Sequence, residues 1–303
     1  MKILNKFISI VIPCFKSSPD LFKLIRNLIH QMPSVARDFE ILLVIDGEQP
    51  ILTSKLDEEY SYLDKVKIIV LNKNFGQNIA TRIGLELSVG DVIITIDDDG
   101  QHNHKEINKL IQVYQGGTYG LVYAKLNSSH HSKPRIWGSK ILKKSLKVLS
   151  HGAYPEFVNS FRLVERAIVE DNLTNKPIDL IIDFALLTSS KKVTSVAVQH
   201  QPRQTFNSNY DTVKLISLSI RILSHCLFVY QNYLYRLPLV SSTIMLFGLI
   251  FFINFILGYA RAYLYMIYFF LTLFLVSLLY LKFVCRSLFR GKEPLSTFIL
   301  KKI

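Results

Sequence analysis

"VIITIDDDGQHNHKEI", residues 92–107, decides how the chain is read. Its opening run of β-branched apolar residues has the composition of a buried strand. The run ends abruptly in Asp97, Asp98 and Asp99, followed by Gly100, Gln101, His102 and His104. Three adjacent carboxylates repel one another, and without a partner one protonates or the turn distorts. A divalent cation removes that cost. Alternate side chains of an extended segment face the same way, so Asp97 and Asp99 share one side while Asp98 points elsewhere. Such an oxygen-only pair suits Mg²⁺ or Mn²⁺, which take few protein carboxylates and complete their shell with water and phosphate. A solvated acidic turn is the competing interpretation. His102 and His104 have no cysteine or third histidine at zinc spacing. They are expected on a surface loop, with a polar supporting role left open for His102.

Upstream, three more apolar runs have the same form. Phe7 to Ile12 is a strand, and Ser17–Ser18–Pro19–Asp20 then opens a helix through "LFKLIRNLIHQM". Phe39–Asp46 and Lys65–Asn72 are further strands, and "NIATRIGLELS" is a helix before the strand Asp91–Asp97. Strands alternating with helices make an α/β parallel sheet. Ligands of such sheets bind beyond the carboxyl ends of the strands, where Pro13, Asp46, Asn72 and Asp97 all fall. Downstream, "KEINKLIQVYQ" is expected to be helical, "GLVYAKL" a strand and "VTSVAVQHQPRQ" a last strand running into a loop, with a basic amphipathic stretch at Lys133–Lys147.

The chain has 303 residues and a net charge of +13, from 36 basic and 23 acidic residues. Residues 237–260 carry no charge, Arg261 follows, and residues 262–281 are again uncharged. About 20 helical residues cross a ~30 Å hydrocarbon core, so each run spans once, whereas one helix through both would reach roughly 68 Å. A hairpin turning near Gly258–Arg261 is therefore expected. Lys214, Arg221 and Arg236 precede it, and Lys282, Arg286, Arg290, Lys292, Lys301 and Lys302 follow it. Cationic flanks stay in the cytoplasm, which places the N-terminal region and both termini there, in an integral membrane protein. Residues 212–235 form either an interfacial helix or a helix packed on the sheet. The positive charge fits anionic lipid; with no nucleic-acid-binding motif, nucleic acid is not an expected partner. The basic, apolar start ending near Cys14 superficially suggests a lipoprotein signal. Its apolar core is short and Pro13 occupies the small-residue position, so a first strand is preferred. Cys14, Cys226 and Cys285 are scattered and odd in number, as expected of reduced thiols.

The segments "SIVIPCFKSSPDLFKLI", "EILLVIDGE", "NKNFGQNIATRIGLELSVGDVIITIDDDGQH", "NSFRL" and "RQTFNSNY", followed by two spans, resemble family 2 glycosyltransferases of the polyprenyl-phosphate type. The resemblance covers nearly the whole chain, and its most specific part is Asn74 to His102. It implies a Rossmann-like GT-A domain over residues 1–211, a juxtamembrane amphipathic helix over 212–235, a two-helix transmembrane hairpin within 236–285 and a basic cytosolic tail over 286–303. The activity implied is inverting transfer of one sugar from a nucleotide-sugar, UDP-linked in the first instance, to polyprenyl phosphate. Pro13 and Phe15 would border the base, Asp46 the nucleoside, and Asn74, Gly76 and Asp98 the nucleotide. Asp97, Asp99 and Gln101 would surround Mg²⁺ or Mn²⁺ and the diphosphate, with Asp99 among the catalytic residues. Arg162 of "NSFRL" and Arg203 and Ser208 of "RQTFNSNY" would lie near the acceptor phosphate, the two arginines counting with Asp99 as catalytic. Arg135 and Lys140 join that cradle on charge and location. Homo-oligomers formed through the membrane portions are also implied.

The acceptor type makes chemical sense independently. A sugar hydroxyl needs a general base, whereas a lipid phosphate is already ionised and needs only positioning and charge compensation. The sequence departs from the family at Ile45, where a second acid is common, at Phe206 in place of a glycine, at Ser160 in place of a frequent acid, and at Asn209 in place of lysine. A processive polysaccharide synthase is disfavoured, since the sole tryptophan, Trp137 in "RIWGS", is not in a Q-x-x-R-W segment. Transfer to another lipid or to a protein, and a catalytically silent nucleotide-sugar-binding protein anchored to the membrane, remain as alternatives.

Overall fold

The structure is a computed structural model describing residues 3–15, 20–100, 102–126, 142, 144–148, 150, 152–174, 178, 180–188, 192–199, 222, 248 and 294–303. Strands β1 (Leu4–Cys14), β2 (Ala36–Ile45), β3 (Val66–Leu71) and β4 (Val92–Thr95) form the parallel centre of one sheet. β5 (Leu121–Leu126), β6 (Arg162–Glu165), β7 (Val193–Val198) and β8 (Ile299–Lys302) complete it, in the order β7-β5-β6-β4-β1-β2-β3-β8. β6 is antiparallel to both β4 and β5, and β8 is antiparallel to β3. β2 and β3 lie on one side of β1 and β4 on the other, so strand order reverses between β1 and β4. The crevice outside the carboxyl ends of those two strands is where an open α/β sheet binds its ligand.

Alternation along each strand supplies both faces of the sheet. Ile8, Ile10 and Ile12 of β1, with Ile41, Leu43 and Ile45 of β2, pack against α1 (Asp20–Gln31), α2 (Pro50–Tyr60) and α4 (Ile107–Gln115). On the opposite face, Val11, Leu42, Val44 and Ile93 meet α3 (Gln77–Leu87), α5 (Arg166–Leu173) and α6 (Ile182–Leu187). Gly84 allows α3 to lie close on β1, because a methyl group there would come 2.3 Å from Val11 Cγ1. The result is a three-layer α/β/α domain around a mixed sheet, the α/β class that the sequence leads one to expect. Several features differ from the expectation. α2, β6, α5 and α6 have no counterpart among the expected elements, β6 and β8 make the sheet mixed rather than wholly parallel, and the residues expected to be a basic tail include an edge strand, β8. Among the described residues no helix is long and apolar enough to cross a membrane. The expected hairpin and juxtamembrane helix lie outside them, apart from residues 222 and 248.

Candidate active site

Asp97 and its neighbours emerge directly at the switch point. The β1–β4 register ends at Val11 opposite Thr95, and Ile96 N then donates to Val11 O at 3.1 Å. The next three residues therefore leave the sheet beside the end of β1. There the backbone N–H of half-exposed Phe15 donates to Asp98 Oδ2 at 3.4 Å. Asp98 thus turns toward the end of β1. Gly100 takes φ +70°, and a Cβ there would lie 3.1 Å from Asp20 Cβ. Only glycine is at ease with that backbone in so little space.

Three side chains hold the Asp97 carboxylate. Gln77 Nε2 donates to Oδ1 at 2.6 Å, Ser160 Oγ donates to Oδ2 at 2.6 Å, and His102 Nε2 lies 3.4 Å from Oδ2. Burial alone would raise the pKa of this acid. The His102 hydrogen bond and charge, the Ser160 hydroxyl and the Arg162 charge outweigh burial and hold it below the ordinary carboxylate value. Ser160 is fixed in turn by the hydrogen bond from Thr95 Oγ1 to its carbonyl, and Asn159 Nδ2 donates to Ala124 O. His102 corrects the expectation of a surface residue. It is only 7% exposed, its ring centroid lies 5.0 Å from that of Phe161, and it belongs to the Asp97 cluster. His104 is more open, and burial with the charges of Lys105 and Lys23 lowers its pKa.

A depressed native pKa gives stability that is complete above the unfolded carboxylate value of about 3.9 and is lost as pH falls through the native value. Ser160→Ala removes a bond to the ionised form and moves the Asp97 pKa upward. Acid unfolding followed by circular dichroism is therefore expected to begin at higher pH in that variant than in the wild type. An unchanged acid midpoint would contradict the role given to Ser160.

Across the crevice, Asp46 is 2% exposed. Its carboxylate accepts backbone hydrogen bonds from Phe75 N at 2.7 Å and Gly76 N at 2.8 Å. The sequence places it against a nucleoside, but both its oxygens face the 72–76 turn and fix that turn's shape. Burial raises its pKa against the opposing effect of those two amides. Exposed Asn74 accepts a further bond from Gly76 N at 3.1 Å. Gly76 has φ +94°, and a Cβ built there would meet no atom within 4 Å. That open space is what close approach of a ligand to backbone requires. Pro13 is buried in β1, opposite Val44. Asp99 lines a cavity of about 230 Å³ with Asp20, Lys23, Asn27, His102 and His104.

Arg162 sits elsewhere than expected. Rather than facing an acceptor phosphate, it lies within the sheet opposite Thr95 and Tyr123, 3% exposed. Its Nη1 makes an ion pair with Asp183 Oδ1, which also accepts from Tyr123 Oη at 2.7 Å. Burial would lower the guanidinium pKa, but Asp183 more than offsets it. Asp183 and Gln77 are functional neighbours that the sequence reading misses. Gln77 carries a signal, since it is the first residue of α3 and directly follows Gly76 in the quoted turn. Gln101, Arg135, Lys140, Arg203 and Ser208 lie outside the described residues.

Among the described residues no group of three or more His, Cys, Asp or Glu is arranged to hold a metal ion by itself. The donor chemistry nevertheless fits a divalent cation that draws most of its shell from ligand and water. Asp97 is kept ionised, and its three partners leave one of about four acceptor positions. Asp99 lines the adjoining cavity. Mg²⁺ and Mn²⁺ are satisfied by one or two carboxylates plus phosphate oxygens.

Known proteins resemble this chain in sequence and in fold. A relative from Pseudomonas syringae pv. syringae (strain B728a), undecaprenyl-phosphate 4-deoxy-4-formamido-L-arabinose transferase, is 29% identical over 220 residues. The match takes in 72% of this chain and 65% of that protein, so the chain spans less than two thirds of its length. A protein of the same name from Proteus mirabilis (strain HI4320) is 27% identical, over 73% of this chain and 68% of its own. Among solved structures, M. tuberculosis glucosyl-3-phosphoglycerate synthase with Mn²⁺, UDP and phosphoglyceric acid superposes with TM-score 0.53 at 13% identity, covering 75% of this chain and 79% of that one. S. aureus TarS 1–349 with UDP-GlcNAc gives TM-score 0.51 at 15% identity, covering 74% and 67%. The family model described as Glycosyl transferase family 2 matches residues 9–173. On that match, which runs from β1 through the acidic turn to the end of α5, the chain belongs to glycosyl transferase family 2.

Proposed function

We propose that the chain is an inverting glycosyltransferase that moves one sugar from a nucleotide-sugar to polyprenyl phosphate on the cytosolic face of a membrane. The observation that carries this is the ionised Asp97, locked by Gln77, Ser160 and His102 at the β1–β4 switch point, with Asp98 and Asp99 beside it. Donor diphosphate would lie across this turn, between Phe15 on one side and Gly76 on the other. A divalent cation held by Asp99 and Asp97 would supply neutralisation of charge on the departing diphosphate. Asp46 keeps the 72–76 turn in shape, and Gly76 admits the nucleotide close to its backbone. An oxygen of the acceptor phosphate attacks the anomeric carbon as the bond from that carbon to the diphosphate oxygen breaks, so the nucleoside diphosphate leaves and configuration inverts. No side chain has to remove a proton from the nucleophile, in keeping with a serine at position 160. The names of the relatives support the acceptor, and UDP-sugars are the first donors to test.

Residues 237–281 would anchor the enzyme as a hairpin beside its lipid acceptor, with Arg135, Lys140, Arg203 and Ser208 cradling the phosphate. The test is incubation of membranes carrying the protein with undecaprenyl phosphate and radiolabelled UDP-glucose, GDP-mannose or related donors. Label is expected in the organic phase with one donor. Donor binding without labelled lipid, across the donor series, would instead indicate a nucleotide-sugar-binding protein.

A further inference from the structure

The C-terminal segment holds the edge of the donor crevice. β8 pairs with β3, where Ile303 and Ile68 exchange backbone hydrogen bonds at 2.8 and 2.9 Å. Just before β8, the chain reaches the turn that follows β3. Asn72 N donates to Phe298 O at 2.9 Å, and Asn72 Nδ2 donates to Thr297 O at 2.7 Å. Phe298 is 4% exposed, and its ring meets that of Phe75 edge-on, with centroids 5.0 Å apart at 63°. Lys73 Nζ lies 5.0 Å from the same Phe75 ring. Phe75 and Gly76 are the two residues whose amides hold Asp46. On the inner side, a Cβ on Gly47 would lie 3.0 Å from Asn74 N, so the turn has no room to retreat toward β2. The turn is thus gripped by Asp46 and Gly47 from within and by residues 297–298 from the chain's far end.

We propose that residues 294–303 form a strap that holds the 72–76 turn in its donor-binding shape, with Phe298 a positioning residue acting through Phe75. The donor half of this rests on the function proposed above; the strap itself does not. Covering an edge strand would alone justify β8, but it would not require an aromatic contact and two hydrogen bonds on the turn beyond β3. A second consequence follows from chain order. The strap is joined through a short basic stretch to the second apolar run, residues 262–281. The proposed anchor and the donor turn are therefore linked through one continuous segment.

Hydrogen exchange of the full-length, ligand-free protein separates this from simple edge protection. In Phe298→Ala, amides of the 72–77 segment are expected to exchange about tenfold faster, since local opening sets their protection. Phe298→Leu is expected to restore much of the protection. Leu56→Ala, a cavity on the opposite face of the sheet, serves as a control that lowers the melting temperature without loosening the turn. UDP titration should show about tenfold weaker binding in Phe298→Ala, as lost preorganisation predicts, with donor KM raised and kcat nearly unchanged. Unchanged exchange at 72–77, or a loosened turn with UDP affinity equal to wild type, would overturn the proposal. Wild-type protein that binds neither UDP nor any nucleotide-sugar would count against the proposed function, while the exchange data would still decide the strap.

Discussion

Asp99→Asn is expected to reduce the proposed transfer of sugar to polyprenyl phosphate about a hundred- to a thousandfold, with the fold intact. The diphosphate develops charge as it departs, and a cation on its oxygens contributes several kcal/mol of that stabilisation, each ~1.4 kcal/mol being tenfold in rate. Asparagine keeps the size of the side chain but supplies a neutral oxygen, and the cation loses affinity. The substitution should fold normally, since Asp99 is only partly buried beside an open cavity. Asp97→Asn is a less clean probe. It would place an amide among three donors, Gln77, Ser160 and His102, and disturb their geometry as well as the charge. Organic-phase label from the best donor, compared at equal protein and equal thermal stability, measures the effect. Activity within about threefold of wild type, far short of the loss a displaced cation entails, would contradict a catalytic role for Asp99.

Asp183→Ala is expected to be the most destabilising of the substitutions considered. It leaves the Arg162 guanidinium inside the sheet with its counter-ion removed, and Tyr123 Oη without its acceptor. Breaking a buried pair from one side costs about 3–5 kcal/mol, because the remaining charge is left desolvated. Against a typical stability of about 5–15 kcal/mol, that is a large fraction. Urea unfolding of the purified protein would read it as a lowered midpoint at constant slope. The consequence for activity is indirect: β6 begins at Arg162, two residues after Ser160, so a disturbed pair displaces a partner of Asp97. A loss under about 1 kcal/mol, typical of exposed pairs, would mean that Arg162 is solvated in practice and available to a phosphate.

The parallel centre of the sheet is legible in the sequence because burial on both faces demands continuous β-branched runs, and each run stops at a polar residue. The strands expected at Phe7, Phe39, Lys65 and Asp91 all form, each within a few residues of its expected bounds. α2 is hard to see because "PILTSKLDEEY" buries only Leu56 and Tyr60, so its apolar face is narrow. β6 is four residues long and opens on a charge. Its partner Asp183 is distant in sequence, so Arg162 looks like a surface or ligand-binding arginine until the fold brings the two together. β8 conceals itself similarly: Lys301 and Lys302 suggest a solvated tail, yet charges are the usual dress of an exposed edge strand. At the site, the acidic turn and Gly76 are apparent from motif and position. Of the partners of Asp97 only His102, in the same stretch, is open to a supporting role; Gln77 and Ser160 reach it from two distant segments. Asp46 is legible as a residue of the crevice, but its bonds to the 72–76 turn depend on a loop conformation that no spacing rule reveals.

Manganese binding in the presence of UDP tests the centre of the account most directly. Titration of Mn²⁺ into wild-type protein with UDP, followed by electron paramagnetic resonance of the free ion, is expected to show one bound Mn²⁺ per chain that depends on UDP. Asp99→Asn should weaken that binding at least about tenfold, the loss of one charged ligand being worth more than ~1.4 kcal/mol. Equal Mn²⁺ affinity in wild type and Asp99→Asn, or binding indifferent to UDP, would show that the acidic turn does not join a cation to the diphosphate.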